Sequence, residues 1–226
     1  MWIAEGKRSS RTREIIEIAE KKGIPLQFKK TQFLDNILPG ISHQGIIGLT
    51  KEFSYIDLDK LINLYLNNSD PAILIAVDHI TDEGNLGAII RSAVFFGAHG
   101  MILPKDRSAR ISDRVRKRSA GALDHIPVTL VVNLNRSLDI LSDNGFWIIG
   151  AAGEAAESIY EFDWDRNLVL VLGNEEKGLG ISVRKKCHQL VSIPSPGHLN
   201  SLNVSVASGI ILSEINRQRR TKKKKL

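Results

Sequence analysis

The stretch "PAILIAVDHITDEGNLGAIIRSAVFFGAHGMILP", residues 71–104, shows the pattern from which the architecture of the chain can be predicted. It holds an apolar run at 72–77, a helical pattern that starts near Asn85, and a second apolar run at 99–104. The apolar positions of the helical part follow the spacing of a buried stripe: Leu86, Ile89, Ile90, Ala93 and Val94. Continuous apolar runs are typical of parallel strands that are covered on both faces. The stretch therefore predicts a strand, a crossover helix and a parallel strand.

The same alternation continues towards the C-terminus, with further apolar runs at 126–131, 146–151, 168–172 and 190–193. Strands that alternate with helical patterns predict an α/β fold with a doubly wound parallel sheet. In such sheets ligands bind at the carboxyl ends of the strands. The loops that follow the strands are therefore where we expect functional residues.

Residues 1–50 read as a separate small α/β unit, with strands near 2–4, 24–28 and 45–49 and helices near 11–22 and 31–38. Ser10 is the expected cap of the first helix, and Gly23 ends it. Residues 51–70 predict a linking amphipathic helix. Residues 71–217 form the main domain, and residues 218–226 are expected to be a basic tail.

Composition excludes several classes of protein. The 226 residues are 42% hydrophobic and 25% charged, which are globular values. No apolar run approaches the roughly 20 residues of a membrane span, and the N-terminus lacks the apolar core of a secretory signal. Cys187 is the single cysteine, so neither an internal disulfide nor a cysteine zinc site is possible. We expect a cytoplasmic protein without a metal.

The formal charge of +6 is unevenly distributed. The last ten residues hold seven basic side chains and no acid, so the remainder is close to neutral. Such an end is either a solvated tail or a polyanion-binding arm. A second basic segment, Lys105–Arg118, follows a predicted strand within the domain. Its cations could hold a phosphate backbone, and the candidates for RNA binding are Lys105, Arg107, Arg110, Arg114 and Arg116.

The first loop of interest contains "NLGAIIRSA", residues 85–93. Asn85 is the expected helix cap. Gly87 and Arg91 fall one turn apart, opposite the buried stripe. Glycine costs about 1 kcal/mol in a helix, so the pattern indicates that something needs the space above the Arg91 guanidinium. The alternative is a solvated arginine on an exposed face.

The second loop, "LGNEEKGLG" at 172–180, follows a buried strand and carries three glycines. It matches neither the dinucleotide fingerprint nor the P-loop, which both bind phosphates. The adjacent carboxylates of Glu175 and Glu176 disfavour a polyphosphate ligand. A plain strand–turn–helix connection is the alternative.

The third loop, "IPSPGHLNSLNVSVASG" at 193–209, leads into an apolar helix. Ser201 is its expected N-cap. One polar side chain is enough to cap a helix, whereas Asn200, Ser201 and Asn203 supply three. The excess indicates a ligand at this end of the helix, and His198 is the histidine nearest to it in sequence.

Taken in this order, the three loops resemble the motifs of the SpoU (TrmH-like) RNA ribose methyltransferases of the SPOUT superfamily. The segment "RSAR…KRSAGALDHIPV" within residues 107–128 is also similar to that family, so the resemblance covers about 71–217. "SHQGIIGL", residues 42–49, resembles the end of the family's N-terminal substrate-binding domain. It implies a shortened form of that domain, because the usual first strand and helix have no counterpart before Trp2.

The resemblance implies a parallel sheet with a C-terminal deep trefoil knot, S-adenosylmethionine as cofactor, and a homodimer. It implies a cofactor pocket lined by Gly173, Ile193 and Leu202. It assigns activation of a ribose 2′-hydroxyl to Arg91, with Asn85, Glu175, Ser201 and Asn203 completing the catalytic set. The dimer has a second reason, since few residues follow the apolar helix to cover its faces.

The implied reaction is methyl transfer to RNA. A guanosine of ribosomal RNA is the first expected substrate and transfer RNA the second. Because arginine is too basic to accept a proton readily, Arg91 is either desolvated and perturbed, or holds a phosphate that helps to remove the proton; we favour the phosphate. Two alternatives are an RNA-binding module without activity and a nucleotide-using enzyme built on Gly173–Gly180.

Overall fold

The computed structural model describes residues 1–6, 9–49, 53–65, 70–197 and 201–223. The chain divides into two compact units, Met1–Phe53 and Ser54–Leu226.

The first unit contains β1 (Trp2–Ala4), α1 (Ser10–Lys21), β2 (Gln27–Lys29), α2 (Thr31–Ile37) and β3 (Ile46–Ile47). Its sheet has the order β2-β1-β3, with β1 parallel to β2 and antiparallel to β3. Ser9 rather than Ser10 caps α1, since its Oγ accepts from the amide of Thr12 at 3.1 Å. Gly23 ends α1 as expected, with a left-handed φ of +64°.

The second unit is built on a seven-stranded parallel sheet. Its elements are α3 (Leu58–Tyr65), β4 (Ile73–Val77), α4 (Glu83–Phe95), β5 (Gly100–Pro104), α5 (Asp113–Arg118), β6 (Val128–Val131), α6 (Leu134–Asp143), β7 (Trp147–Ala151), β8 (Glu157–Ser158), β9 (Leu168–Leu172), α7 (Ile181–Arg184), β10 (Gln189–Ser192) and α8 (Val204–Lys223). The strand order is β6-β5-β4-β9-β7-β10-β8, and every pair is parallel. The predicted α/β parallel fold is confirmed; the two-residue strand β8 was not predicted.

The position of each strand explains its sequence. Every residue of β4, β5 and β9 is buried, because these strands lie inside the sheet with both faces covered. Since the strands are parallel, the loops after β4, β5, β9 and β10 all leave from the same end of the sheet. That end carries the three loops of interest and the basic segment.

Helix α3 differs from the linking helix expected at 51–70. Leu61 and Ile62 are buried in the core of the second unit together with Leu74 and Ile102. A Cβ placed on Gly100 would lie 2.6 Å from a methyl group of Leu61. Glycine therefore lets this helix pack closely on the sheet, and α3 belongs to the second unit.

The C-terminal residues also differ from a disordered tail. Helix α8 continues without a break to Lys223, and residues 224–226 lie outside the described residues. The Arg219 guanidinium donates to the carbonyl oxygens of Pro71, Trp164 and Arg166 at 2.5–3.1 Å. Lys222 donates to the carboxylates of Asp163 and Asp165. Residues 218–223 are therefore helical, and two of their basic side chains, Arg219 and Lys222, bond to the body of the unit.

Candidate active site

The three loops meet through one chain of hydrogen bonds. The Asn85 side-chain amide donates to Oε1 of Glu175. The Asn203 side-chain amide donates to Oδ1 of Asn85 at 3.0 Å. Asn203 and Asn85 are 118 positions apart in sequence, and Asn85 and Glu175 are 90 positions apart, yet their side chains bond directly. Three of the five predicted catalytic residues lie together.

Asn85 is free for this role because it is not the helix cap, contrary to the sequence prediction. Asp82 caps α4, and its Oδ1 accepts from the backbone amide of Asn85 at 2.7 Å. Aspartate is as good a cap as asparagine, and its earlier position puts Asn85 in the first helical turn. The Asn85 side chain can then reach the other two loops.

The second loop is closed tightly on itself. Asn174 and Gly178 exchange two backbone hydrogen bonds at 2.8 and 3.1 Å. A Cβ on Gly173 would collide with the backbone of Gly178, and Gly178 itself has a φ of +65°. Oδ1 of Asn174 accepts from the amides of Glu176 and Lys177. The glycines therefore permit a compact turn that presents Glu175 to Asn85.

In the third loop, the predicted N-cap of α8, Ser201, is wrong. Helix α8 begins at Val204. Oδ1 of Asn203 accepts from the Ser205 amide at 2.9 Å, so Asn203 satisfies the end of the helix that Ser201 was expected to cap. Ser201 lies two residues before Asn203 and is exposed. Asn200, one of the three polar residues that indicated a ligand, and the nearby His198 lie outside the described residues.

Arg91 lies two turns along α4 from Asn85 and is exposed. Within the described ranges it makes no hydrogen bond or ion pair. Gly87 does not leave space for a ligand of Arg91. A Cβ on Gly87 would lie 2.6 Å from Cβ of Arg118, so the glycine is needed for packing. Gly87 is buried and allows α5 to approach α4 closely, so this part of the sequence interpretation was wrong.

The three residues expected to line a cofactor pocket differ in exposure. Gly173 is buried within the tight turn, Ile193 is half-buried after β10, and Leu202 is 47% exposed. Gly173 and Leu202 belong to the two loops that Asn85 connects. The exposed Leu202 side chain lies beside polar loops and is therefore accessible to a ligand with an apolar surface.

The basic segment leaves β5 beside the first loop. The amide of Ala109 donates to the carbonyl oxygen of Ile80 at 2.8 Å, which ties the two loops together. Arg110 donates to the carbonyl of Lys105 at 2.8 Å, and Arg114 lies 4.0 Å from Glu83 in the first turn of α4. Four of the five candidates are exposed, Lys105, Arg107, Arg110 and Arg114, whereas Arg116 is half-buried. The exposed cations flank the loop that carries Asn85.

Sequence reasoning missed Asp78, the first residue after β4. This residue is 2% exposed. Oδ2 accepts from the amide of Gly180 at 2.7 Å, and Oδ1 lies 2.6 Å from Nδ1 of His79. The signal in the sequence was an acid placed directly after a fully apolar strand, where an unpaired carboxylate would be costly.

Cys187 shows no sign of a nucleophile, as the sequence indicated. Burial raises the pKa of its thiol to about 11, so the thiol stays protonated at neutral pH.

Among the helices of the described residues, none has both the length and the apolar character that a membrane span requires.

The geometry of the loops is matched by similarity to a known family. Residues 72–213 match the SpoU rRNA Methylase family. Residues 1–56 match the family described as RNA 2′-O ribose methyltransferase substrate binding. The chain belongs to the SpoU rRNA methylase family.

Relatives of this SpoU protein include two 23S rRNA (guanosine-2′-O-)-methyltransferases named RlmB. The Escherichia coli protein is 39% identical over 97% of this chain and 90% of its own length. The Xanthomonas axonopodis protein is 42% identical over 96% of this chain and 87% of its own length. Among solved structures, the SpoU methyltransferase AviRb from Streptomyces viridochromogenes in complex with AdoMet is 25% identical with a TM-score of 0.76. That match covers 97% of this chain and 82% of AviRb.

Proposed function

We propose that this protein transfers a methyl group from S-adenosylmethionine to a ribose 2′-hydroxyl of RNA. A guanosine of ribosomal RNA is the first candidate substrate, and transfer RNA is the second. The observation that carries the proposal is the chain Asn203–Asn85–Glu175, which unites three family motifs at one end of the sheet. Such an RNA substrate would place the activity in the cytoplasm.

The residues present suit this cofactor. The exposed Leu202 and half-buried Ile193 offer apolar surface to the cofactor. The tight turn at Gly173 lets backbone groups of the second loop approach it closely. The carboxylates of Glu175 and Glu176 are compatible with a positively charged sulfonium and disfavour a polyphosphate. When bound, S-adenosylmethionine supplies an electrophilic methyl group.

The side chains divide the remaining work. A ribose hydroxyl is a poor nucleophile, so it must be held in place and relieved of a proton. Asn85 and Asn203 fix the loops, since Asn203 donates to Asn85 and Asn85 donates to Glu175. Ser201 and Asn203 face the ribose in the arrangement that we propose. Arg91 holds a phosphate of the RNA, because its donors are not used by the described protein.

RNA would be held by two regions. Lys105, Arg107, Arg110 and Arg114 flank α4 and are exposed, which suits contacts to a phosphate backbone. Arg116 completes this set. Residues 1–50 would select the RNA as a shortened substrate-binding domain, and residues 71–217 would carry catalysis.

We further propose a trefoil knot and a homodimer. In support of the knot, β10 lies between β7 and β8 in the sheet, and the chain then returns in α8, which packs on α4. In support of the dimer, apolar side chains remain exposed on these two helices, with Phe95 at 80% and Val206 at 50%. A second copy of the chain could cover them in an isologous contact.

Methylation of RNA by the purified protein tests the proposed function. We expect transfer of a labelled methyl group from S-adenosylmethionine to ribosomal RNA extracted from a strain that lacks the gene. Nuclease digestion should then release a 2′-O-methylated guanosine. Transfer to transfer RNA alone would favour the second substrate, whereas RNA binding without transfer would mean a module without activity.

A further inference from the structure

Asp78 holds the second loop against the first, at a point separate from the Asn85 contact. Its carboxylate is one of two charged groups buried in the described chain; the other is Glu214. Both oxygens are engaged, one by the amide of Gly180 at 2.7 Å and one by the His79 ring at 2.6 Å. An ionised carboxylate only accepts hydrogen bonds, so Nδ1 of His79 carries the hydrogen in this pair.

The backbone around Asp78 is arranged for the same purpose. The Asp78 amide donates to the carbonyl oxygen of Leu172 at 2.8 Å and so extends the pairing of β4 with β9. His79 has a left-handed φ of +58°, which is unfavourable for a residue with a side chain. Its carbonyl oxygen accepts from the Asn174 side-chain amide at 3.2 Å. Adjacent residues thus bind both ends of the turn at 174–180.

The fit at Gly180 is close. A Cβ on Gly180 would lie 3.2 Å from Oδ2 of Asp78 and 4.0 Å from Cε1 of His79. Gly180 is the N-cap of α7, so the bond to Asp78 is made at the point where the second loop meets this helix. With the turn held at Asn174 and Gly180, Glu175 between them is brought to Asn85.

We propose that Asp78 is a positioning residue, which fixes the loop at 173–180 for cofactor binding through the amide of Gly180. This inference rests on the proposed function, in which that loop binds S-adenosylmethionine. Asp78 itself need not touch the cofactor. Its loss should weaken cofactor affinity first and lower kcat as a consequence of the displaced Glu175.

Three substitutions separate the two partners of Asp78. Asp78→Ala removes both acceptors. Asp78→Asn keeps an acceptor oxygen for Gly180. His79→Gly removes the ring, keeps the left-handed backbone without strain, and leaves the bond to Gly180 in place.

The measurement is calorimetric binding of S-adenosylhomocysteine, with thermal unfolding of each variant alongside. We expect affinity to fall about tenfold or more in Asp78→Ala, as for loss of a hydrogen bond to a charged group. It should stay within about threefold of wild type in Asp78→Asn and His79→Gly, which retain the Gly180 bond. Wild-type affinity in folded Asp78→Ala would overturn the inference, as would an equal loss in His79→Gly.

If Asp78→Ala does not fold, Gly180→Ala decides. It adds a methyl group against the carboxylate at a backbone angle that alanine adopts freely. We expect weaker binding of S-adenosylhomocysteine with little change in Tm; unchanged binding would overturn the inference. A wild-type protein that neither binds S-adenosylhomocysteine nor transfers methyl groups would instead remove the proposed function, and this inference with it.

Discussion

Arg91 and Arg219 lie on two helices that pack together, α4 and α8, yet their surroundings are opposite. The Arg219 guanidinium gives its donors to three backbone carbonyls. Burial lowers its pKa, against the opposing effect of Asp165 and Asp70. Arg91 is exposed, with no partner in the described chain. The same side chain thus stabilises the fold in one place and, in the function that we propose, holds a ligand in the other.

Of the substitutions that test this difference between the two arginines, Arg91→Ala is expected to have the largest effect on activity. We expect kcat to fall by roughly 10³-fold, within the range of lost proton-transfer assistance. The Tm and the affinity for S-adenosylhomocysteine should hardly change, since no hydrogen bond or ion pair within the described protein is lost. Steady-state methylation gives kcat, thermal unfolding gives the Tm, and calorimetric titration gives the affinity. A fully active variant would contradict the assignment.

Arg91→Lys sharpens that result. A lysine keeps the charge but not the fork of donors. If Arg91 holds a phosphate, this variant should recover part of the activity. If it regains none while RNA binding is normal, a role in the proton transfer itself is favoured.

Arg219→Ala should show the converse behaviour. The carbonyl oxygens of Pro71 and Arg166 would lose the donor that Arg219 supplies, at a cost of about 2 kcal/mol. For a chain of this size that corresponds to a Tm lower by roughly 4–8 °C. Activity measured well below the Tm should be retained. The control is Lys222→Ala, which removes only exposed ion pairs and should cost less than 1 kcal/mol.

Asn85→Ala should fall between the two arginines, because Asn85 serves both the fold and the site. It leaves Glu175 and Asn203 without their shared partner. We expect kcat to fall about 10- to 100-fold through misplacement of the loops, with a Tm lower by a few degrees. Asn85→Asp is the matched test: it is isosteric but sets a carboxylate against Glu175. A fully active Asn85→Asp would mean that this contact does not matter.

The smallest effect is expected from single cations of the basic segment. Arg107 has a φ of +57°, so Arg107→Gly removes a charge while relieving the backbone. RNA affinity should fall a few-fold, and the slope of log K against log salt should decrease by about 1. Lys60→Ala, an exposed lysine of α3, is the control and should leave the slope unchanged.

Several features could be read directly from the residues. Continuous apolar runs predicted the parallel sheet, because strands buried on both faces must be apolar throughout. The three loops were found by their position after strands and by their surplus of polar and glycine residues. Gly23 was correctly assigned as a helix end, since glycine adopts that backbone angle without the strain that a side chain adds.

The capping residues were harder to predict. Ser9 and Ser10 are equivalent in type, as are Asp82 and Asn85, and a shift of one to three residues decides which side chain is free. Asn203 took the role expected of Ser201 for the same reason. Propensity identifies the kind of residue at a helix end, whereas the start of the helix is set by packing.

The residues alone predicted most of the strands, the helix that carries Asn85 and Arg91, and the three loops, while the family resemblance supplied the roles of Glu175 and Asn203. The tertiary structure was needed to show which of these residues are joined, that Gly87 makes room for α5, and that Arg219 donates to backbone carbonyls. It also revealed Asp78, whose partner Gly180 lies 102 residues away. The physical reason is that a hydrogen bond depends on two groups meeting in space, and sequence spacing reports only contacts within one element.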